Sequence, residues 1–297
     1  MRRLTTRVFS VTAVGLLLTS CSRGGATPSA LTTAPAPAAT LSGTSIRCPA
    51  RGPFDASSGY YAQFYEDYIL AYVLRDVKKG VYVDVGANDP DENSVTKYFY
   101  QAGWRGINIE PNPDMLTLLK KARPEDINLG IGISDKPGFL TFYRFARFSG
   151  LSTFNRDLAL QHRAKGVEFD TIPIPVSTLD EVFEQHENVK HGVTFLNVDV
   201  EGFEQYVFAS VDLGHHPATV VMAEATAPET EVPSYQPWQS ALFAAGYLFA
   251  MDDGLNRYYV HPSHSGLLAR FVEVNYCVEM DKIAKGIKLN GYLKVKH

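Results

Sequence analysis

The chain has 297 residues, 45% of them hydrophobic and 20% charged, with a formal net charge of −4. That is enough apolar material for one large domain or two small ones. Its 28 lysines and arginines are scattered along the chain, so the basic stripe that a nucleic-acid partner requires is missing.

Arg2, Arg3 and Arg7 precede an apolar run from Val8 to Leu18, followed by Thr19, Ser20 and Cys21. A charged start, an apolar stretch and small residues form the layout of an export signal, and the run is too short to span a bilayer comfortably. The string Leu18-Thr19-Ser20-Cys21 resembles the lipobox of bacterial lipoproteins. That resemblance implies a signal over residues 1–21, lipidation of Cys21 and an exported, membrane-anchored protein; without a working signal the chain stays cytoplasmic. Ser22 to Ser45 is rich in Ala, Pro, Thr, Ser and Gly and lacks the bulk to order itself, so residues 22–59 read as a flexible linker. Of the remaining cysteines, Cys48 and Cys277 form a disulfide in an oxidising compartment or stand as two separate thiols.

From about Tyr60 helical and short apolar segments alternate, which predicts an α/β domain with a parallel sheet flanked by helices. Phe64–Leu74 has helical spacing, Val81–Val85 reads as a strand, and Ser94–Ala102 is helical again. Ile107–Glu110 is the next strand, and Asp114–Ala122 is a helix opened by Pro111 and Pro113. Ile127–Ile133 reads as a third strand. Phe139–Tyr143 and Ile172–Val176 are extended segments around a polar stretch, Arg144–Asp170, which forms a candidate lid or substrate loop. Leu179–Gln185 is a short helix capped by Ser177 or Thr178. Val193–Asp199 is a strong strand, Phe203–Phe208 a helix, and Thr219–Ala223 an apolar strand ending on Glu224. Pro237–Ala245 is a helix, and Tyr247–Met251 with Arg257–Val260 makes a closing hairpin. The domain is expected over residues 60–260, with 261–297 as an extension that is helical or irregular.

In an open α/β sheet, ligands bind beyond the carboxyl ends of the strands. The first strand ends in Asp84-Val85-Gly86-Ala87-Asn88, and the glycine permits a sharp turn and a close ligand approach. The second delivers Glu110, placed to accept hydrogen bonds from both hydroxyls of a ribose. A glycine turn plus a strand-end acid points to an adenosine-containing cofactor. The turn lacks the G-x-G-x-x-G pattern and carries Asp89, Asp91 and Glu92 where a pyrophosphate would sit, which argues against a dinucleotide. S-adenosylmethionine has no phosphate, and its sulfonium and ammonium groups suit an acidic turn, with Asp84 facing the ammonium.

These residues also carry a family resemblance. Tyr82-Val83-Asp84-Val85-Gly86-Ala87-Asn88, Ile109-Glu110-Pro111-Asn112-Pro113 and Leu196-Asn197-Val198-Asp199-Val200-Glu201-Gly202-Phe203-Glu204 resemble ordered motifs of the FkbM family of S-adenosylmethionine-dependent methyltransferases. Ser149-Gly150-Leu151-Ser152-Thr153 and Ser177-Thr178-Leu179-Asp180 fit the same pattern, and the match spans roughly Phe64 to Val260. Pro90 departs from it, standing where many members carry glycine. The resemblance implies a Rossmann-like class I methyltransferase: a mostly parallel seven-stranded sheet, helices on both faces and an antiparallel closing strand. It also implies transfer to a hydroxyl of a sugar or natural product, so that the partner is a small-molecule or glycan acceptor. By position, Asp84, Gly86, Ala87 and Asn88 would hold the methionine moiety, and Glu110 with Pro111 the ribose. The third-strand segment Asn128-Leu129-Gly130-Ile131-Gly132, with Asn128 and Gly130 as its contacts, would flank the adenine, and Ser134 and Asp135 lie nearby.

Asp199 and Glu201, two apart on an extended segment, face the same way and are the candidate catalytic residues. Hydroxyl methylation needs the acceptor's proton removed as the methyl arrives, which a carboxylate or a metal-bound alkoxide performs. Glu224 would complete an oxygen-rich set, Asp199, Glu201 and Glu224, of the kind that Mg²⁺ accepts; helix caps and lysine partners are the plainer roles for Glu201 and Glu204. His162, His186, His191, His215 and His216 show no spacing with Cys or acids that reads as a zinc site, and His162 is the nearest second acid–base candidate. The rival expectation is a non-catalytic extracytoplasmic module, since S-adenosylmethionine is made in the cytoplasm.

Overall fold

The structure, a computed structural model, describes Ile46, Cys48 and residues 59–284. The signal with Cys21 and nearly all of the 22–59 linker lie outside the described residues. In chain order the elements are α1 (Glu66–Val73), β1 (Val81–Val85), α2 (Lys97–Gln101), β2 (Arg105–Ile109), α3 (Pro113–Ala122), β3 (Ile127–Leu129), β4 (Gly132–Ile133), β5 (Gly138–Arg144) and α4 (Arg156–Ala164). They continue with β6 (Asp170–Ser177), α5 (Leu179–Gln185), β7 (Val193–Val198), α6 (Glu204–Phe208), β8 (Ala218–Glu224), α7 (Gln236–Ala244), β9 (Leu248–Asp252), β10 (Asn256–Val260) and α8 (Leu267–Ala284).

Seven strands form one sheet in the order β3-β2-β1-β7-β8-β10-β9. The pairs from β3 through β8 are parallel, and β10 runs antiparallel to both β8 and β9. This is the expected α/β, Rossmann-like arrangement with its closing antiparallel hairpin. The alternation of side chains along each strand divides the core between two faces. Val83, Val85, Leu196 and Val198 join Leu179, Phe183, Val207 and Trp238 on one face. Tyr82, Phe195, Met222 and Tyr258 join Ile69, Phe99 and Trp104 on the other, together with Phe271, Val274 and Val278 of α8. The last helix is thus built into the second face, and Cys277 within it is joined to Cys48 by a disulfide with a Cα–Cα distance of 5.4 Å.

Local chemistry sets the element ends. The Asn112 side chain accepts from the Asp114 N–H at 3.1 Å, with Pro113 opening α3, and Thr178 Oγ1 accepts from the Glu181 N–H at 3.1 Å to cap α5; each satisfies a donor that the helix leaves unpaired. The expected single strand Ile127–Ile133 is two. β3 ends at Leu129 on the main sheet, and after Gly130 and Ile131 the chain crosses to a second, three-stranded sheet of order β4-β6-β5. The apolar run continues through the break, so periodicity alone joined what the backbone separates.

The second sheet is the polar insertion's framework. β5 and β6 pair antiparallel from Gly138↔Val176 to Arg144↔Asp170, while β4 reaches β6 only at Val176 and Ser177. Pro173 and Pro175 of β6 therefore lie beyond β4, where a missing N–H costs no ladder hydrogen bond. The stretch expected only as a loop contains α4, started by Asn155, whose side chain accepts from the Asp157 and Leu158 N–H groups. No helix among the described residues is long and apolar enough to cross a membrane.

Candidate active site

The order of the main sheet reverses at β1, where the chain first adds β2 and β3 on one side and later β7 and β8 on the other. Such a switch point opens a crevice at the carboxyl ends of the two central strands. Here the backbones cross closely: the Asp199 N–H donates to Val85 O at 3.0 Å, and the Gly86 N–H to Ile109 O at 2.9 Å. Gly86 has φ +90°, and a Cβ built on it would lie 1.7 Å from the Asp199 carbonyl oxygen. Only glycine fits both the conformation and the space.

Asp84 lies buried at the floor of this crevice. Asn197 Nδ2, its register partner on β7, donates to Oδ1 at 2.8 Å, and Thr96 Oγ1 donates to Oδ2 at 3.0 Å. Burial still pushes the Asp84 carboxyl above the usual range, against the pull of both hydrogen bonds. Glu110 is placed by β2 and accepts from the Asn88 N–H at 2.7 Å and the Asn112 N–H at 2.6 Å. Desolvation pushes it up to about 7 despite these bonds. Asn88 is left-handed at φ +48°, and beyond it Asp89 Oδ1 accepts from the Asp91 and Glu92 N–H groups. Buried Arg123 fixes the rest of the loop, donating to Pro90 O at 2.6 Å and Ser94 Oγ at 3.1 Å.

One cavity collects these parts. Asp84, Gly86, Ala87, Asn88, Glu110 and Pro111 line it together with Asp199 and Glu201, and Ile131, Ile133, Phe142 and Phe154 form its apolar wall. Among the described residues no lysine, arginine or histidine lines it. Of the apolar wall, Ile131 belongs to the segment expected at the adenine, while Ile133, Phe142 and Phe154 and the partners Thr96 and Asn197 escaped the sequence reading, because folding brings them in. Asn128 and Gly130 do not reach the cavity, which corrects the expectation for both. Asn128 donates to Arg123 O and Asp126 O and accepts from Asn108 Nδ2, which ties the turn before β3; Gly130 lies against Leu116. The chain meets the cavity two residues later, at Ile131 and Gly132.

The acidic segment after β7 is a turn rather than an extended edge. Glu201 is left-handed at φ +52° and Gly202 at φ +81°. Thr153 Oγ1 donates to Glu201 O at 2.8 Å, so the insertion clasps this turn. Glu204 takes the plainer role: its Oε1 accepts from the Val200 and Gly202 N–H groups. Asp199 and Glu201 still face a common space, because both line the first cavity and a second, adjoining one that also holds Glu224, Glu229 and Arg147.

The Asp199 side chain remains accessible from the cavity. Protein atoms around it displace much of its hydration, and the charges of Glu204 and Asp84 add to this, pushing its carboxyl up to about 7. Glu201 is raised well above the usual range by desolvation and by Asp199. Glu224 is only 6% exposed and its Oε2 has no hydrogen-bond partner; burial, then Asp199, Glu201 and Glu204, push it up to about 11. The oxygens of Asp199, Glu201 and Glu224 do not converge within 4.8 Å as three ligand atoms must, so the expected Mg²⁺ set is not assembled. Glu224 is carried by β8, and Asp199 and Glu201 by the turn after β7.

The histidines also differ from expectation. His162 is 1% exposed in α4, edge-on to Phe145, and lines neither cavity, so it is no acid–base partner. His215 and His216 do meet an acid, Glu184 of α5, with ligand atoms within 4.8 Å of one another. The 31-residue gap between Glu184 and His215 hid the cluster from any spacing rule.

The carboxyls fix the sign of the pH dependence. Each binds its proton more tightly in the folded chain, so their stabilising effect is full below the unfolded carboxylate range near 4 and is lost as pH rises through the folded values. The protein should therefore melt lower at pH 8 than at pH 5.5. Replacing Glu224→Gln should raise the pH 8 melting temperature and flatten the slope by up to about 1.4 kcal/mol per pH unit for one proton. Melting curves across this range check it; an unchanged slope in the variant contradicts the placement of Glu224.

A family model described as Methyltransferase FkbM domain matches residues 84–249, more than half of the chain. No curated protein matches it. Among solved structures, one similar chain is the O-methyltransferase from Bacillus cereus in complex with SAH, at 8% identity, a TM-score of 0.31, and coverage of 68% of this chain and 83% of that one. The matched residues begin at Asp84 on the cavity floor and take in Glu110, Asp199 and Glu224: the chain belongs to the FkbM methyltransferase family.

Proposed function

We propose that the protein transfers a methyl group from S-adenosylmethionine to a hydroxyl of a sugar or small natural-product acceptor. The observation that carries this reading is the meeting of Glu110, the Gly86–Asn88 turn and Asp199 in one cavity without a basic side chain. Its donor set fits this cofactor: a carboxylate for ribose hydroxyls, acids for a sulfonium and an ammonium, and an apolar wall for adenine. A pyrophosphate would meet Asp84, Glu92 and Asp199 instead. When bound, S-adenosylmethionine supplies an electrophilic methyl group.

The chain's own residues align the acceptor and remove its proton. Asp199, raised to about 7, is matched to proton transfer near neutral pH, which a carboxylate at its ordinary value performs poorly. Glu201 flanks it on the same turn. The adjoining cavity holds Glu224 with its unpaired oxygen, which favours an acceptor rich in hydrogen-bond donors, such as a glycan, over an anionic one. A module that had lost the reaction would have no use for so costly a buried acid. Asp199→Ala should lower turnover ~10²–10⁴-fold with calorimetric affinity for S-adenosylmethionine near normal, while Glu110→Ala should weaken binding about tenfold or more. Loss of binding in Asp199→Ala would move that residue to the cofactor, and full turnover would remove it from catalysis.

Separately from the reaction, we propose on the Leu18-Thr19-Ser20-Cys21 lipobox that the protein is held outside the cytoplasm by a lipid anchor at Cys21. The Cys48–Cys277 disulfide supports it, because such bonds persist in oxidising compartments. Membrane fractionation with lipid labelling should show a labelled, membrane-bound protein that loses both properties in Cys21→Ala; a soluble, unlabelled native protein contradicts the anchor.

A further inference from the structure

A second cluster of chemistry lies at the opposite end of the sheet, where β7 and β8 begin. His216 is 2% exposed and stacks on Phe183 at 5.0 Å. Its Nδ1 is 2.8 Å from the Lys190 carbonyl oxygen. A carbonyl only accepts, so Nδ1 carries a hydrogen and the neutral ring presents a lone pair at Nε2. That lone pair faces Glu184 Oε1 at 3.5 Å and Asp180 Oδ1 at 4.0 Å. His215 Nε2 approaches the same Glu184 oxygen at 3.4 Å, its ring nearly perpendicular to that of His216. His216 Nε2 and Glu184 Oε1 are thus two acceptors facing each other, and a donor reaches Glu184 here only from the Nε2–H tautomer of His215 or from a protonated ring.

We propose that Glu184, His215 and His216 bind a first-row transition-metal cation, with zinc as the favoured ion. Around tetrahedral zinc, ligands at ~2.0–2.1 Å lie about 3.3 Å from one another, and the separations of 3.4 and 3.5 Å match two edges of that figure. Two imidazoles and one carboxylate select this class of cation over Mg²⁺ or Ca²⁺. The supporting contacts are in place as well. The Lys190 carbonyl fixes the His216 tautomer, and Lys190 Nζ holds the other Glu184 oxygen at 3.2 Å, leaving Oε1 to the metal; both are outer contacts typical of such sites. Asp180, Glu187 and Asp212 surround the cluster, and with Glu184 they outnumber Lys190, so the local field draws a cation.

The ion would join α5 to the loop that feeds β8, far from the methyl-transfer cavity, so the inference stands apart from the proposed reaction. Its test is zinc alone, titrated by calorimetry into full-length, metal-stripped, untagged protein with its disulfide intact. The native chain should bind one zinc, and zinc should raise its melting temperature. The exposed His215→Ala should weaken binding at least tenfold and lose the melting shift, while its melting in EDTA stays near that of the native chain. Glu184→Gln should behave alike and serves if His215→Ala fails to fold. No zinc bound at 100-fold excess, or undiminished binding in whichever variant folds, overturns the proposal; it would leave the two histidines merely paired with Glu184.

Discussion

The site depends on one backbone contact, the seating of Gly86 against the Asp199 carbonyl at the point where the sheet reverses direction. With β1 and β7 in parallel register, their two carboxyl ends must turn away within the same small volume. A side chain at position 86 would occupy the space of that carbonyl, and the two turns could not both form. From this contact the rest follows: Asp84 pairs with Asn197 beneath it, Asn88 is delivered to Glu110 beside it, and Asp199 is held at the mouth of the cavity. Asp84, Glu110 and Asp199 are adjacent because the backbones that carry them touch.

The second constraint is electrostatic. Six acids line the first cavity, Glu66, Asp84, Glu92, Glu110, Asp199 and Glu201; burial raises Asp84, Glu110, Asp199 and Glu201, as described, and Glu66 to about 8. Such a concentration costs stability at neutral pH. Proteins keep costs of this kind at functional sites, and a positively charged ligand relieves them. The insertion belongs to the same design. Its small sheet supplies Ile133 and Phe142 to the apolar wall, and Thr153 holds the acidic turn by its Glu201 carbonyl, so the insertion and the acidic turn are hydrogen-bonded together.

Much of this was legible in the sequence, for identifiable reasons. The strands of a parallel sheet, covered on both faces, read as short apolar runs, and β1, β2, β7 and β8 stood out accordingly. Strand-end residues such as Asp84, Gly86, Glu110 and Asp199 were visible because a strand's carboxyl end in this architecture faces a ligand. What failed had physical causes. Gly130-Ile131-Gly132 continues an apolar run across a change of sheet, so the segment expected at the adenine started too early: Asn128 and Gly130 miss the cavity, and Ile131 and Gly132 line it. The partners Thr96, Asn197 and Phe154 leave no local signature, since distant segments bring them in. Glu184 and His215 are likewise joined only by folding, and a spacing rule finds ligands that share a loop or helix.

On the proposed function the crevice built on Gly86 and Glu110 is a nucleoside site with Asp199 at its reactive end. A crystal structure of the full chain with S-adenosylhomocysteine should show the ribose hydroxyls on Glu110, the adenine against Ile131, Ile133 and Phe142, and the sulfur facing Asp199. Density elsewhere, or a crevice left unchanged at saturating ligand, would overturn that assignment.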